Sequence, residues 1–134
     1  MDEWVTSGDG TRLAVRRRGS GRPLVLVHPS SGGLDSFDPI VPLLDGWELW
    51  AYARRGYAPS GGSGDQPKTF ADDVGDLQTV LAAAGGPADV LGASYGATVA
   101  LHAARTDGSR IRTSTTTRQE TGQRPSAACT TWRR

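Results

Sequence analysis

One serine stands in a setting that suits nucleophilic chemistry, Ser94 in the pentapeptide Gly92-Ala93-Ser94-Tyr95-Gly96. A short apolar run, Asp89-Val90-Leu91, precedes the pentapeptide, and a helical pattern over residues 97–105 follows it. Glycines on both sides let a strand and a helix approach closely across a sharp turn, and the N-terminal end of a helix favours developing negative charge. The pattern predicts that Ser94 is a nucleophile on a strand-to-helix turn, and an ordinary turn of that kind is the alternative.

Two more segments of interest follow predicted strands. The run Pro23-Leu24-Val25-Leu26-Val27 is continuously apolar, as is typical of a strand buried on both faces of a parallel sheet, and it leads into His28-Pro29-Ser30-Ser31-Gly32-Gly33. A second predicted strand, residues 47–53, leads into Arg54-Arg55-Gly56-Tyr57-Ala58-Pro59-Ser60.

These three segments, in this order, resemble the α/β-hydrolase family over roughly residues 3–111. By this resemblance, Gly92–Gly96 corresponds to the family's turn that carries the nucleophile. The segment that begins at His28 corresponds to the family's oxyanion loop. The resemblance implies that Ser94 is the nucleophile and that the backbone N–H groups of Ser30 and Tyr95 bind an oxyanion. It also implies ester or related acyl-transfer chemistry, with a small-molecule substrate and no cofactor.

Two departures from the family pattern concern positions near this site. Pro29 replaces a usual glycine, but the N–H donor is expected one residue later, at Ser30. Ala53 replaces the usual acid before Arg54 and Arg55, which we interpret as scaffold residues. The His28 imidazole is expected to hydrogen-bond the loop and to have no catalytic role.

The acid and the histidine of a catalytic triad follow the serine in this family, and the sequence offers poor candidates for both. His102 lies eight residues beyond Ser94, about 12 Å along one helix. The later carboxylates are Asp107, at the far end of that helix, and Glu120, in an unpatterned segment. We therefore expect weak or no activity; the alternatives are a non-catalytic ligand-binding module and a fragment completed by another chain.

The elements that must position the site predict an α/β fold with a mainly parallel sheet of about five strands. Gly8-Asp9-Gly10 between extended runs indicates a hairpin. Thr69 is predicted to cap a helix, with acidic residues in the first turns and Gly85-Gly86-Pro87 beyond its end. Its apolar face recurs at three- and four-residue spacing: Phe70, Val74, Leu77, Leu81 and Ala84.

The pattern changes abruptly after Ile111, which divides the chain into a partial hydrolase domain, residues 1–111, and a segment of residues 112–134. That segment holds seven threonines, five arginines and only four apolar residues, without periodicity. Such a composition predicts a disordered tail. We also hypothesise that the native reading frame is lost near Arg112; a genuine short paralogue with a basic tail is the alternative.

Composition excludes several classes of protein. The single cysteine, Cys129, excludes an internal disulfide, and no Cys/His cluster suggests a metal. No signal peptide or membrane-spanning run is present, so a cytoplasmic protein is expected. The basic tail is interpreted as solvated, with no nucleic-acid or membrane partner. A truncated sheet would expose the edge of the strand at Val90-Leu91, which predicts aggregation or pairing there.

Overall fold

A seven-stranded sheet forms the centre of the computed structural model, which describes residues 2–62, 65–118 and 128–133. The strand order is β1-β2-β4-β3-β5-β6-β7. The strands are β1 (Glu3–Thr6), β2 (Arg12–Arg18), β3 (Arg22–Val27), β4 (Trp47–Tyr52), β5 (Ala88–Ala93), β6 (Ile111–Arg118) and β7 (Ala128–Arg133). The helices are α1 (Phe70–Ala83) and α2 (Tyr95–Thr106), with 3₁₀ helices at Asp38–Leu43 and Gly108–Arg110.

The four central strands, β4, β3, β5 and β6, are parallel, whereas β1, β2 and β7 run antiparallel to their neighbours. This confirms the predicted α/β class and the predicted hairpin of β1 and β2. The carboxyl ends of β3, β4 and β5 therefore lie at one edge of the sheet, where the three segments singled out above begin.

Alternate residues of the central strands face two hydrophobic layers. Val25 and Val27 point to the layer formed with α1 and α2. Leu24 and Leu26 point to the opposite layer, which the 3₁₀ helix Asp38–Leu43 partly covers. A strand buried on both faces explains why the sequence of β3 is apolar without alternation.

Helix α1 begins at the predicted cap. The Thr69 hydroxyl accepts a hydrogen bond from the Asp72 N–H at 3.1 Å, and the Asp72 carboxylate accepts one from the Thr69 N–H at 2.9 Å. Both bonds satisfy N–H groups that have no partner inside the helix. The chain then turns at Gly85, whose φ of +80° lies in the region that glycine favours.

The structure differs from the sequence expectation beyond Ile111. The sequence predicted about five strands and a disordered tail from Arg112, but among the described residues β6 pairs in parallel with β5 and β7 pairs with β6. The rest of the predicted tail, residues 119–127 and 134, lies outside the described residues. The expected open edge at Val90 is therefore occupied, since Val90 lies opposite Ser114. The physical reason is that a buried strand needs partners for its backbone groups, and β-branched threonines suit a strand despite their polarity.

Candidate active site

Ser94 occupies the turn between β5, which ends at Ala93, and α2, which begins at Tyr95. Its φ of 52° and ψ of −117° make it the one non-glycine residue with positive φ in the described part of the chain. A side chain in such a backbone conformation costs on the order of 1–3 kcal/mol, and such strain clusters at active sites. The Ser94 side chain is exposed, and it makes no hydrogen bond to cap α2.

The two glycines of the pentapeptide are required by close packing. A Cβ atom on Gly92 would lie 2.6 Å from the Gly96 carbonyl oxygen and 2.7 Å from the Ala97 Cα. A Cβ atom on Gly96 would overlap the Val27 carbonyl oxygen and lie 2.7 Å from that of His28. Both clashes involve backbone atoms, so α2 could not start this close to β3 and β5 with larger residues.

The backbone N–H groups predicted to bind an oxyanion are free within the described residues. The Ser94 carbonyl accepts the N–H groups of Ala97 and Thr98 at 2.9 and 3.3 Å, whereas the Tyr95 N–H has no protein partner. The Ser30 N–H has none either, although the carbonyl of the same residue accepts a hydrogen bond from the Tyr57 hydroxyl at 2.8 Å. These groups can therefore donate to a ligand.

His28 holds the loop after β3, as the sequence analysis expected. Its buried Nε2 accepts the Arg54 N–H at 2.9 Å, so the neutral ring carries its proton on Nδ1, which donates to the Pro29 carbonyl at 2.7 Å. Burial lowers the pKa of His28 to about 4, with the neighbouring Arg54 acting in the same direction. With both ring nitrogens engaged, His28 is not available as a general base.

Arg54 lies behind the turn, buried between two tyrosine rings. Its guanidinium carbon is 4.7 Å from the centroid of Tyr57 and 4.6 Å from that of Tyr95. Its Nη1 lies 3.7 Å from the Asp73 carboxylate, which also accepts the Tyr95 hydroxyl at 2.7 Å. Burial and this hydrogen bond raise the pKa of Tyr95 to about 12.

A second buried pair lies beside the first. Arg55 donates two hydrogen bonds of 2.9 Å to the Asp76 carboxylate, and the Ser7 hydroxyl donates a third at 2.6 Å. Arg55 also pairs with Asp9 of the first hairpin. The hydrogen bonds to Asp76 and, to a smaller extent, to Asp9 raise the pKa of Arg55. The hydrogen bond from Arg55 is the main cause that lowers the pKa of Asp9.

Sequence reasoning missed Asp73 and Asp76, which it assigned to the charged end of a helix. Both carboxylates are buried, because they lie on the face of α1 that carries Leu77 and Val80. The signal was present: a carboxylate four residues before a core leucine belongs to the apolar face. Two arginines directly after a buried strand are the partners that such carboxylates need.

The remaining triad candidates are not assembled around Ser94. His102 is exposed on α2, with its ring packed against Phe70 at 4.8 Å. Asp107 begins the 3₁₀ helix Gly108–Arg110 by accepting both the N–H and the hydroxyl of Ser109. Glu120 lies outside the described residues. Among residues 2–62, 65–118 and 128–133, no cluster of three potential metal ligands occurs.

Comparison with known proteins shows the family of the chain. The sequence profile of the alpha/beta hydrolase family matches residues 24–128, which is most of the chain, so this protein belongs to that family. The match also runs past Ile111, where the sequence analysis ended the resemblance. A search of curated proteins found no match.

Solved structures agree with this assignment. An alpha/beta hydrolase from Sphaerobacter thermophilus is 36% identical, with a TM-score of 0.74 over 81% of this chain. The esterase RhEst1 from Rhodococcus is 27% identical, with a TM-score of 0.77 over 88%, and a hydrolase from Pseudomonas aeruginosa is 25% identical, with a TM-score of 0.79 over 90%. This chain spans 42%, 46% and 48% of those three proteins, respectively.

The helices of the described residues offer no candidate for crossing a membrane, because none combines sufficient length with sufficient apolarity. The shared fold supports hydrolase chemistry without naming a substrate, since one fold can host many activities.

Proposed function

We propose that this chain supplies the nucleophile and the oxyanion-binding groups of a serine hydrolase that acts on esters or related acyl compounds. The observation that carries the proposal is the conformation of Ser94, an exposed serine held at positive φ between β5 and α2. Gly92 and Gly96, on either side of it, are packed against backbone atoms and let α2 start close to β3 and β5. Strain of this kind is retained where function needs it.

The proposed reaction begins when the Ser94 Oγ attacks the acyl carbonyl carbon. A bond forms between Oγ and carbon, and the carbonyl electrons move to oxygen, where the N–H groups of Ser30 and Tyr95 stabilise the negative charge. The bond from carbon to the ester oxygen then breaks, and the alcohol leaves with its electrons and the proton that the Ser94 hydroxyl has released to solvent or to a base outside the described residues. In the second step a water oxygen bonds to the acyl carbon, the bond from carbon to Oγ breaks, and a proton from that water returns to Oγ. One well-placed donor of this type is worth about 10²–10³ in rate.

A general base for Ser94 is not found among the described residues, because His28 is fully engaged and His102 faces Phe70. Without a base to take its proton, a serine hydroxyl is a weak nucleophile and reacts slowly. We therefore expect no repeated Ser94-dependent turnover of an activated ester by the purified 134-residue chain, as distinct from a single slow acylation of Ser94. Turnover that Ser94→Ala abolishes would mean that a base had been overlooked.

Binding of a boronic acid tests the proposed roles without requiring turnover. Phenylboronic acid can form a tetrahedral adduct with a serine oxygen, and its boron-bound oxygen then occupies the oxyanion position. We expect a tetrahedral boron NMR signal with the native chain, together with downfield shifts of the Ser30 and Tyr95 amide protons. Ser94→Ala should lose the signal; an unchanged signal, or its absence from the native chain, would contradict the proposal.

A second candidate function follows from the absent base. The chain could bind small acyl compounds without cleaving them, or another chain could supply the acid and histidine. Reversible ligand binding that survives Ser94→Ala would favour the binding module. Ester turnover that appears only on addition of a second polypeptide, and requires Ser94, would favour complementation. We further propose that the protein works in the cytoplasm, without a nucleic-acid or membrane partner.

A further inference from the structure

We propose that Arg54 is a positioning residue that couples the loop carrying Ser30 to the helix start carrying Tyr95. The inference rests on the proposed function only in naming those two N–H groups as oxyanion donors. The coupling itself is a statement about contacts, and it can be tested without catalysis.

Arg54 reaches both segments from one buried position. Its backbone N–H binds His28 Nε2 at 2.9 Å, and its Nε donates to the His28 carbonyl at 3.2 Å, so the end of β3 is fixed to it at two points. Its guanidinium carbon lies over the rings of both Tyr57 and Tyr95, at nearly equal distances from their centroids. A displacement of either ring must therefore move the guanidinium or open a gap beside it.

One arm of this arrangement ends at Ser30. The Tyr57 ring contacts Arg54 on its face and His28 edge-on at 4.6 Å, and the Tyr57 hydroxyl donates to the Ser30 carbonyl. The position of Tyr57 therefore sets the orientation of the peptide that follows Ser30. That hydrogen bond and the two His28 bonds constrain the loop on both sides of the Ser30 N–H.

The other arm ends at Tyr95. The Tyr95 hydroxyl donates to Asp73, whose carboxylate also lies 3.7 Å from Arg54 and 3.2 Å from Lys68. Tyr95 is thus held by its ring against Arg54 and by its hydroxyl against the same carboxylate that pairs with Arg54. Because Tyr95 is the first residue of α2, this fixes the direction of its own backbone N–H.

The chemistry of the site calls for arginine rather than lysine. A planar guanidinium can stack on two aromatic faces while its edge pairs with a carboxylate, whereas an ammonium group offers a compact charge and no plane. Lys68, which also lies near both rings, is farther from Tyr95, at 5.9 Å, and partly exposed. It neutralises Asp73 but does not fill the space between the rings.

Amide NMR spectra of the full chain provide the test. Tyr57→Phe removes only the hydroxyl bound to Ser30, and Tyr95→Phe removes only the hydroxyl bound to Asp73. We expect Tyr57→Phe to shift the amide of Tyr95, and Tyr95→Phe to shift the amide of Ser30, although each change lies in the other arm. Because phenylalanine keeps the ring, neither substitution removes a ring from the site, and a crossed shift reports a displacement passed from one arm to the other.

Arg54→Lys should abolish these crossed shifts, and Arg54→Met offers a second replacement without charge. Arg17→Met is the matched control, since Arg17 also lies over an aromatic ring, Trp50, and pairs with carboxylates, but on the sheet surface. If the crossed shifts are absent, or persist unchanged in Arg54→Lys, the proposed coupling is wrong. Absence of crossed shifts in the two tyrosine variants overturns the coupling even if the Arg54 variants fail to fold.

Acylation of Ser94 by an activated ester separates this inference from the proposed function. We expect Arg54→Lys to slow that acylation by roughly tenfold, a fraction of the loss of one complete donor. Crossed shifts without any Ser94 acylation would leave the coupling intact and overturn the hydrolase proposal. Acylation of Ser94 at an unchanged rate in Arg54→Lys would overturn the positioning role.

Discussion

Replacement of Ser94 by glycine is expected to stabilise the protein while removing the proposed nucleophile. Ser94 has a φ of 52°, in the region that side chains avoid and glycine enters freely. The Ser94 hydroxyl makes no capping bond to α2, so its removal leaves no helix N–H newly unpaired. Strain relief is therefore the main native-state effect of the substitution.

The magnitude follows from two opposing contributions. Relief of a strained backbone conformation is worth on the order of 1–3 kcal/mol. Glycine also makes the unfolded chain more flexible, which opposes folding by roughly 0.5–1 kcal/mol relative to alanine. Ser94→Gly should therefore be more stable, by up to about 2.5 kcal/mol, than Ser94→Ala, which lacks the hydroxyl but keeps the Cβ atom.

Urea unfolding of both variants measures this difference, provided that the slope with denaturant is the same for each. Ser31 supplies the matched control, because it is an exposed serine outside the positive-φ region. There the order should reverse, with Ser31→Gly about 0.5–1 kcal/mol less stable than Ser31→Ala.

Ser94 would carry no backbone strain if Ser94→Gly were less stable than Ser94→Ala by the same amount as Ser31→Gly is less stable than Ser31→Ala. That result would mean that the turn stores no strain, and the observation that carries the proposed function would be lost.

Three further predictions concern the supports of the site. In urea unfolding, Asp76→Ala should lower the free energy of unfolding by about 3–5 kcal/mol, because it removes the main partner of the buried Arg55. Asp2→Ala is the control: it breaks an exposed pair and should cost less than about 1 kcal/mol. Gly96→Ala should destabilise the fold and displace β3 from α2, which amide chemical shifts along β3 would report; unshifted β3 amides would contradict this. The free energy of unfolding should fall by up to about 3 kcal/mol as the pH drops from about 6.5 to about 4, because only the unfolded chain lets His28 take up a proton in this range. His28→Gln should show a smaller fall over the same range.

Much of the fold could be predicted because the local signals agree with the tertiary structure. The apolar run of β3 and the Thr69 cap of α1 appear where the sequence places them. The turn at Ser94 could also be predicted from the sequence, because the pentapeptide needs only a strand before it and a helix after it. These features depend on neighbouring residues, so their physics is visible in a short stretch of sequence.

The strand β6 could not be predicted because its cause is not local. Its threonines and arginines lack the apolar pattern of a buried strand, yet the edge of β5 provides a row of backbone partners. Composition alone predicted a disordered tail, since it counts apolar burial and omits the unpaired edge of a neighbouring strand.

The buried network around Arg54 was missed for a similar reason. In sequence, Asp73 reads equally well as a favourable charge near the start of α1, where acidic residues are common. The spacing of Asp73 from Leu77 indicates a buried face, but its partner, Arg54, lies 19 residues earlier in the chain and is brought to it only by the folding of β4 against α1. Residue roles that depend on such long-range pairs are the part of the site that is hardest to predict from the sequence.

Mapping of acyl groups after brief exposure to p-nitrophenyl acetate tests the central claim most directly. Ser109 is the internal control, because its hydroxyl donates to Asp107 at 2.6 Å and so has a proton acceptor, but it does not lie at a strand-to-helix turn with free N–H groups. If Ser94 is the nucleophile beside two oxyanion donors, peptide mass spectrometry should find it acetylated roughly 10²-fold or more faster than Ser109. Equal rates at the two serines would contradict the account.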